Sequence, residues 1–192
     1  MTGAPPQVVV LAGPNGAGKS TLARLLLREG MAFLNADEIA KGLEPTEGVN
    51  KDREAGRLLL RQLDLLAERR ISFAVETTLS SRSLAPRFAA LRADGYQFHL
   101  FFIWLPSADL AVERVAARVR LGGHGIPEAI IRRRYERGLR NLFELYRPLA
   151  DRWRLYQNVS IGRPRLVASG GAGRRTRVSD SALWTYIRRT IE

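Results

Sequence analysis

The chain has 192 residues, of which 45% are hydrophobic and 26% charged, the size and composition of one globular domain with a sizeable core. It contains no cysteine, so disulfides and thiol redox chemistry are excluded. Its apolar runs, such as 101–105, are far shorter than a membrane span, and the N-terminus lacks the pattern of a signal peptide. We therefore expect a cytoplasmic protein without membrane attachment.

The formal net charge is +12, the isoelectric point is near 11.2, and 28 of the 31 basic residues are arginines. A basic surface attracts polyanions, so nucleic acid is a candidate partner. The guanidinium group also matches phosphate geometry, so some arginines are expected to bind the phosphates of a small molecule. Charge alone does not decide between these two kinds of ligand.

The first predicted elements are a buried strand at 7–11 and a helix at 19–28, joined by a loop with the complete pattern G-x-x-x-x-G-K-[ST]. Backbone N–H groups of such a loop surround a phosphate, and the helix N-terminus adds its positive dipole. Lys19 is expected to reach the β- and γ-phosphates, and the Ser20 hydroxyl to bind Mg²⁺. The predicted nucleotide-binding residues are Gly13, Pro14, Asn15, Gly16, Ala17, Gly18, Lys19, Ser20 and Thr21.

The following segments alternate between strand and helix patterns. Strands are predicted at 31–34, 71–75 and 98–105, and helices at 49–70, 83–93, 108–121 and 127–149. The tail has short strands at 154–156, 165–168 and 176–178, a glycine-rich turn at 169–173 and a helix at 181–191. This order predicts an α/β fold: a kinase-like P-loop NTPase with a parallel sheet flanked by helices, a helical lid and a C-terminal β-hairpin plus helix. We expect one domain, 1–192, that contains the lid at 108–150.

Polar side chains follow the second and third predicted strands. Asp37 comes soon after the strand at 31–34, and Glu76 directly follows the strand at 71–75. Because ligands of open α/β sheets lie beyond the carboxyl ends of the strands, both carboxylates are expected to face a triphosphate at Lys19. One can accept a proton from a substrate hydroxyl, and the other can orient the substrate or hold Mg²⁺ through water.

Each of these residues also has a purely structural explanation. Asp37 could cap the next helix, as Asn35 also could, because Asp and Asn are favoured at that position. Glu76 is expected at a partly buried strand end, where an uncompensated carboxylate is costly. Thr77 and Thr78 could donate hydrogen bonds to a substrate or simply start a turn. We predict a substrate-binding group of Asp37, Glu76, Thr77 and Thr78.

The two helices of the 108–150 region are rich in arginine. At 100° per residue, Arg114 and Arg118 share one face of the first helix, and Arg134 borders the apolar stripe of the second. Two helices joined by a glycine-containing loop suit a lid that closes over phosphates and excludes water. The alternative is a solvated basic face. The predicted catalytic residues are Lys19, Asp37, Arg118 and Arg134.

Together, these motifs resemble those of the zeta-toxin family of P-loop kinases, and especially the branch labelled predicted ABC-type ATPases. The resemblance covers most of the chain, at 13–21, 35–38, 76–79, 114–119, 122–124 and 131–142. The segment 156–158 looks like a later strand end of the family, where an Asp-Asn pair is usual and this chain has Gln157 and Asn158. An ABC ATPase itself is rejected, because no Leu-Ser-Gly-Gly-Gln signature follows the phosphate loop.

The resemblance implies Mg²⁺-dependent transfer of a phosphate from ATP or GTP to a hydroxyl group. It further implies that Asp37 is the general base, that Glu76 contacts the substrate and that the lid arginines stabilise the transferred phosphoryl group. Characterised zeta toxins phosphorylate UDP-N-acetylglucosamine, so a nucleotide-sugar-like substrate and a small antitoxin partner are implied. Two alternatives stay open: a nucleoside or polynucleotide 5′-kinase, and a nucleotide-binding switch without phosphotransfer.

Overall fold

The computed structural model describes residues 4–44, 50–160 and 163–191. Its strands are β1 Gln7–Ala12, β2 Ala32–Asn35, β3 Phe73–Thr77, β4 Gln97–Trp104, β5 Arg152–Gln157, β6 Arg165–Gly171 and β7 Arg174–Val178. Its helices are α1 Lys19–Leu26, α2 Ala36–Lys41, α3 Lys51–Glu68, α4 Leu84–Ala93, α5 Ala108–Arg120, α6 Glu128–Asn141, α7 Arg147–Leu149 and α8 Ser181–Arg189. A π-helical turn, Leu142–Tyr146, joins α6 to α7.

The strands form one sheet in the order β2-β3-β1-β4-β5-β6-β7. The first five strands in this order are parallel, and β6 and β7 continue the sheet as an antiparallel hairpin. The predicted α/β class, a P-loop kinase-like sheet with a C-terminal hairpin, is confirmed. In the described ranges, none of the helices combines the length and the apolar character needed to cross a membrane.

Helices cover both faces of the central strands β1 and β4, which explains why β1 is apolar almost throughout. One core cluster includes Phe73, Phe88 and Tyr146. The other includes Leu11 and Val115 and lies beneath α1, α5 and α6. The predicted apolar stripe of α3 is also observed, since Ala55, Leu59 and Leu63 are buried. Residue 49, where that helix was expected to begin, lies outside the described residues.

Two predicted elements differ in detail from the structure for identifiable reasons. The helix expected at 127–149 is interrupted after Asn141 by the π-helical turn, which carries Tyr146 into the core, where its hydroxyl donates to the Ser81 carbonyl at 2.5 Å. The turn expected at 169–173 begins later, because its first three residues extend β6. Gly170 is needed there for packing, since a Cβ atom would lie 2.8 Å from the Trp153 ring.

Asp151 joins three elements at the start of β5. Its carboxylate accepts hydrogen bonds from Arg92 Nη2 at 2.7 Å and from the Phe98 backbone N–H at 2.8 Å. Burial alone would raise the pKa of Asp151, but the bonds from Arg92 and Phe98 outweigh it and lower that pKa below 3.8. The ionised carboxylate therefore stabilises the contact between α4, β4 and β5.

We expect Asp151→Asn to reduce the free energy of unfolding by about 1–2 kcal/mol at pH 7, the scale of a partly exposed charged hydrogen bond. A lowered carboxylate pKa gives stability that is present above pH 3.8 and is lost as the pH falls through the folded-state pKa. Urea titrations of both proteins should therefore converge below pH 3.8. Asp64→Asn, which removes an exposed partner of Arg87, serves as the control and should change little. A difference that stays constant with pH would contradict this account.

Candidate functional site

The phosphate loop lies at the carboxyl end of β1, and its glycines fit it against the neighbouring strands. A Cβ atom at Gly13 would overlap the Ile103 carbonyl of β4. Gly18 has φ of 89°, and a Cβ atom there would lie 2.8 Å from Asn158 Nδ2. These positions accept glycine alone without a shift of the backbone. The sequence pattern therefore reflects close packing as well as access for a phosphate.

Lys19 is the buried positive charge of the site. Its side chain is 7% exposed, and Nζ donates to the Pro14 carbonyl at 3.0 Å and lies 3.7 Å from Glu76 Oε1. Burial lowers the pKa of Lys19, while the carboxylates of Glu76 and Asp37 act to raise it. The ammonium group is thus held by a carbonyl and a carboxylate on the edge where a triphosphate would supply negative charge.

The other predicted catalytic residues act on the charge of this ammonium group. Arg118 and Arg134 both act to lower the pKa of Lys19, so both guanidinium groups lie close enough to influence its charge. Arg118 comes from α5 and Arg134 from α6, and Asp37 comes from α2. The fold therefore brings Lys19, Asp37, Arg118 and Arg134 together, as their positions in the sequence predict.

Glu76 connects Lys19 to Ser20. It occupies the carboxyl-terminal part of β3, paired in register with Leu11 of β1, and its Oε2 accepts the Ser20 hydroxyl at 2.8 Å. A hydroxyl and carboxylates of this kind are oxygen ligands of the type that Mg²⁺ prefers. The described side chains around Ser20 therefore fit a magnesium ion, with Glu76 and Asp37 as the available carboxylates.

Asp37 is not a helix cap. The N-cap of α2 is Asn35, whose Oδ1 accepts the Asp37 backbone N–H at 2.8 Å. The capping interpretation of Asp37 is therefore wrong, and the sequence could not choose between two residues that are equally suited to the position. The Asp37 carboxylate lines both of the cavities described next.

Two cavities meet at this edge of the sheet. The first has a volume of about 520 Å³, the second about 630 Å³, and they share Asn15, Lys19, Asp37 and Glu76. The first is lined further by Gly16, Gly18, Ser20, Thr21, Arg114 and Arg118. The second is lined further by Arg53, Arg57, Thr77, Thr78, Ser80 and Arg134. The predicted lid arginines are thus divided between the cavities, and Gly13, Pro14 and Ala17 of the loop support the first as buried neighbours.

Thr77 ends β3, and Thr78 begins the turn that follows, which other elements hold in place. The Thr77 hydroxyl accepts the Leu79 N–H at 3.1 Å, and Leu79 has an unusual φ of 55° although it is fully buried. The Leu79 carbonyl accepts a hydrogen bond from Asn141 Nδ2 at 2.7 Å. Gly138 packs directly on the Thr78 carbonyl, where a Cβ atom would not fit. The threonines therefore start a turn and line the second cavity, so the two readings of the sequence are compatible.

Arg114 contributes to the first cavity, although it is absent from the predicted site. It donates to the Val159 carbonyl at 2.6 Å and to the Gly16 carbonyl of the phosphate loop at 3.4 Å. Burial lowers its pKa. The signal was present, since Arg114 and Arg118 share a helix face, but the sequence did not show which arginine faces the loop.

Asn158 is a second residue that the sequence analysis left without a role. It follows β5, is 4% exposed, and its Nδ2 donates to the Ala17 carbonyl at 2.8 Å. Its Oδ1 is buried without a hydrogen-bond partner in the described part of the chain. Asn158 thus fastens the phosphate loop to β5 and presents an unsatisfied oxygen beside the first cavity. Gln157, the position that departs from the family pattern, ends β5 beside it.

We expect Asn158→Ala to weaken ATP binding by about tenfold, because one buried hydrogen bond of about 1–1.5 kcal/mol that orders the loop is lost. Equilibrium titration with a fluorescent ATP analogue measures this change, and thermal unfolding shows whether the fold is retained. Gln157→Ala is the matched control and should bind ATP like the unaltered protein. Equal affinity in both variants would show that the bond does not organise the loop.

The fold and this site together define the class of the protein, a nucleotide-dependent P-loop kinase. A comparison with family models matches residues 1–160 to the zeta toxin family, and the chain belongs to that family. It is 31% identical over 129 residues to an uncharacterised protein of Haemophilus influenzae, which covers 67% of this chain and 92% of that protein. The family resemblance drawn from the motifs is therefore confirmed.

Solved structures with the same fold include a chain of the AvrRxo1-ORF1:-ORF2 structure with ATP, at a TM-score of 0.75 and 19% identity. The match covers 96% of this chain, which spans 64% of the length of that one. A chain of the PezAT toxin–antitoxin system of Streptococcus pneumoniae matches at a TM-score of 0.56 and 17% identity, over 82% of this chain and 70% of that one. At these identities the likeness concerns the fold alone.

Proposed function

We propose that the protein transfers the γ-phosphate of ATP or GTP to a hydroxyl group of a small anionic metabolite, with a nucleotide sugar such as UDP-N-acetylglucosamine as the leading candidate. The observation that carries this proposal is the pair of cavities that meet at Lys19, Asp37 and Glu76. A donor in one cavity and an acceptor in the other would meet beside a buried ammonium group and two carboxylates. Phosphoryl transfer depends on this kind of positioning and charge compensation.

The first cavity is the proposed nucleotide site. Residues 13–21 bind the phosphates. Lys19 neutralises the negative charge that develops on the oxygen bridging the β- and γ-phosphates. Ser20 holds Mg²⁺ with Glu76 or Asp37, and the bound ion would neutralise the phosphate oxygens. Arg118, which lines the same cavity, then adds a guanidinium group. Each of these groups gains most from charge that increases in the transition state.

The second cavity is the proposed acceptor site. Its volume of about 630 Å³ is in the range of small-molecule sites. Asp37 accepts the proton of the acceptor hydroxyl, and Thr77 and Thr78 bind its polar groups. Arg53 and Arg57 are one turn apart on α3 and line this cavity, so an acceptor with its own phosphate groups is favoured.

Two further parts of the proposal concern motion and partners. The region 108–150 acts as a lid whose loop at 121–127 closes over the phosphates. A small antitoxin protein is the proposed partner, because the matched PezAT chain comes from a toxin–antitoxin system. A bound antitoxin that blocks either cavity would silence the kinase. A polynucleotide 5′-kinase is the second candidate, and the net charge of +12 favours it.

We expect Asp37→Asn to keep ATP affinity within a few-fold but to lower phosphoryl transfer by about 100-fold or more, the usual scale for a positioned base. The amide keeps the shape of the side chain and removes its basicity. The melting temperature should not change, because Asn35 is the cap. Asn35→Ala is the reciprocal control and should cost about 1 kcal/mol of stability. Unchanged turnover in Asp37→Asn would refute the role of Asp37 as base.

The acceptor itself is tested by incubation with Mg-ATP and separate pools of nucleotide sugars, nucleosides and 5′-hydroxyl oligonucleotides, with products identified by mass spectrometry. We expect a phosphorylated nucleotide sugar with the unaltered protein, and we expect this product to be absent with the Asp37→Asn variant. Phosphate found only on oligonucleotide 5′ ends would replace the proposal with the second candidate. ATP hydrolysis without any phosphorylated product would favour a nucleotide-binding switch.

A substitution in α3 tests the role of the second cavity separately from that of the first. Gly56 lines the second cavity, and a Cβ atom there meets no atom within 4 Å. Gly56→Leu should therefore fill the acceptor site and improve helix propensity by about 0.8 kcal/mol, while ATP binding is retained. We expect acceptor phosphorylation to fall at least tenfold, whereas Gly56→Ala, the control, keeps most of it. Normal phosphorylation by Gly56→Leu would place the acceptor elsewhere.

A further inference from the structure

Most of the net positive charge of the chain lies in its last fifth. Residues 152–191 contain nine arginines and one acidic residue, Asp180, so they carry a formal +8 of the total +12. The match to the zeta toxin family ends at residue 160, before β6 and β7. The proposed kinase chemistry uses none of these arginines, so their arrangement calls for a separate explanation.

The strand register gathers three of these arginines on one face of the sheet, and a fourth is exposed beside them. Arg154 of β5 is paired with Ser169 of β6, and Ser169 is paired with Arg177 of β7. Because side chains alternate along a strand, Arg152 points to the same side as Arg154 and Arg177. Arg175 lies two residues before Arg177, where the pairing of β6 with β7 is irregular. All four arginines are exposed, and we call this surface the arginine face.

The opposite side of β5 and β6 is covered, which leaves the arginine face as the free side of these two strands. Trp153 and Val167 point away from it into the core, and Trp153 stacks on Trp184 of α8 at a centroid distance of 5.9 Å. On the arginine face, Arg154 lies 5.7 Å from the centre of the Phe101 ring. Strands β5 and β6 therefore have one apolar side, packed against the core and α8, and one side that carries charge.

Nearby carboxylates do not neutralise the arginine face. None of its four arginines lies within 4.0 Å of a carboxylate in the described ranges. Asp151 is bound by Arg92, and Asp180 caps α8 and lies 4.0 Å from Arg165. Burial and then the positive charges of Arg152 and Arg154 lower the pKa of His99 in the adjacent strand. The surface is thus a local concentration of positive potential.

We propose that the arginine face binds the phosphate backbone of single-stranded nucleic acid. With strands about 4.8 Å apart and side chains on one face repeating about every 6.8 Å, Arg152, Arg154 and Arg177 span about 7 by 10 Å. That array exceeds the needs of a single phosphate and matches several consecutive phosphates of an extended strand. Guanidinium groups bind phosphate oxygens in pairs, and Ser169 adds a hydroxyl between the rows. An open, flat surface also suits a chain better than a small molecule.

The arginine face lies apart from the proposed active site. The strands reach the catalytic edge at Gln157 and Asn158, whereas Arg154 and Arg177 are level with each other about three residues, or 10 Å, further back. Nucleic acid bound there would therefore tether the protein without occupying either cavity. Binding should need no ATP, and the phosphorylation of a small acceptor should continue in its presence.

The test is fluorescence anisotropy with the full chain and labelled single-stranded 20-mers of RNA and DNA at several salt concentrations. We expect Arg152→Gln/Arg154→Gln/Arg175→Gln/Arg177→Gln to lose at least tenfold in affinity. Its plot of log affinity against log salt should be flatter by about 0.7 per lost phosphate contact, or about 3 in all. The control Arg61→Gln/Arg69→Gln/Arg133→Gln/Arg140→Gln removes the same charge from exposed positions elsewhere and should lose less than threefold.

Several outcomes would overturn the proposal. Equal losses of affinity in both quadruple variants would mean that net charge attracts the oligonucleotide diffusely. If the unaltered protein does not bind the oligonucleotides at 50 mM salt, the arginine face is not a nucleic-acid site. Displacement by polyglutamate as effective as by oligonucleotide of equal charge would assign the surface to an acidic protein. The double variant Arg154→Gln/Arg177→Gln, which disturbs the sheet less, should still lose at least threefold. ATP turnover should stay unchanged in both arginine-face variants, so the result is independent of the proposed kinase function.

Discussion

The burial of the Lys19 ammonium group is the constraint on which the site depends. A charge removed from water must be compensated, and in the described residues the compensation comes from the Pro14 carbonyl and the Glu76 carboxylate. Glu76 also accepts the Ser20 hydroxyl, so one carboxylate organises both the lysine and the proposed metal ligand. A triphosphate with Mg²⁺ would replace this internal balance with a stronger one. The site is thus arranged for an anion before any anion binds.

The parallel sheet explains why this small network lies between two cavities. Strands β3, β1 and β4 run in the same direction, so Glu76, the phosphate loop and the end of β4 reach one edge together. Asp37 arrives at that edge from the neighbouring β2. The nucleotide side and the acceptor side then share the same few residues, and neither cavity is complete without the phosphate loop.

The sequence predicted the parts of the site that depend on local patterns. The phosphate loop follows from its motif, and the convergence of Asp37 and Glu76 follows from their positions after strands. Asn158 could not be predicted in this way, because its partner Ala17 is 141 residues away in the chain. The choice between Asn35 and Asp37 as helix cap depended on backbone geometry near β2. The π-helical turn depended on the packing of Tyr146, which no periodicity reveals.

The two proposed lid arginines are held very differently, and this suggests how closure is divided. Arg134 lies on α6, and two other residues of this helix fix its place. Asn141 donates to the Leu79 carbonyl in the turn after β3, and Tyr135 donates to the Leu105 carbonyl at 2.7 Å. The position of Arg134 is therefore set together with that of the turn that lines the proposed acceptor site. Arg118 instead donates to the His124 carbonyl, in the loop between α5 and α6. We infer that Arg134 is preset for transfer, whereas Arg118 can follow the loop when a nucleotide enters.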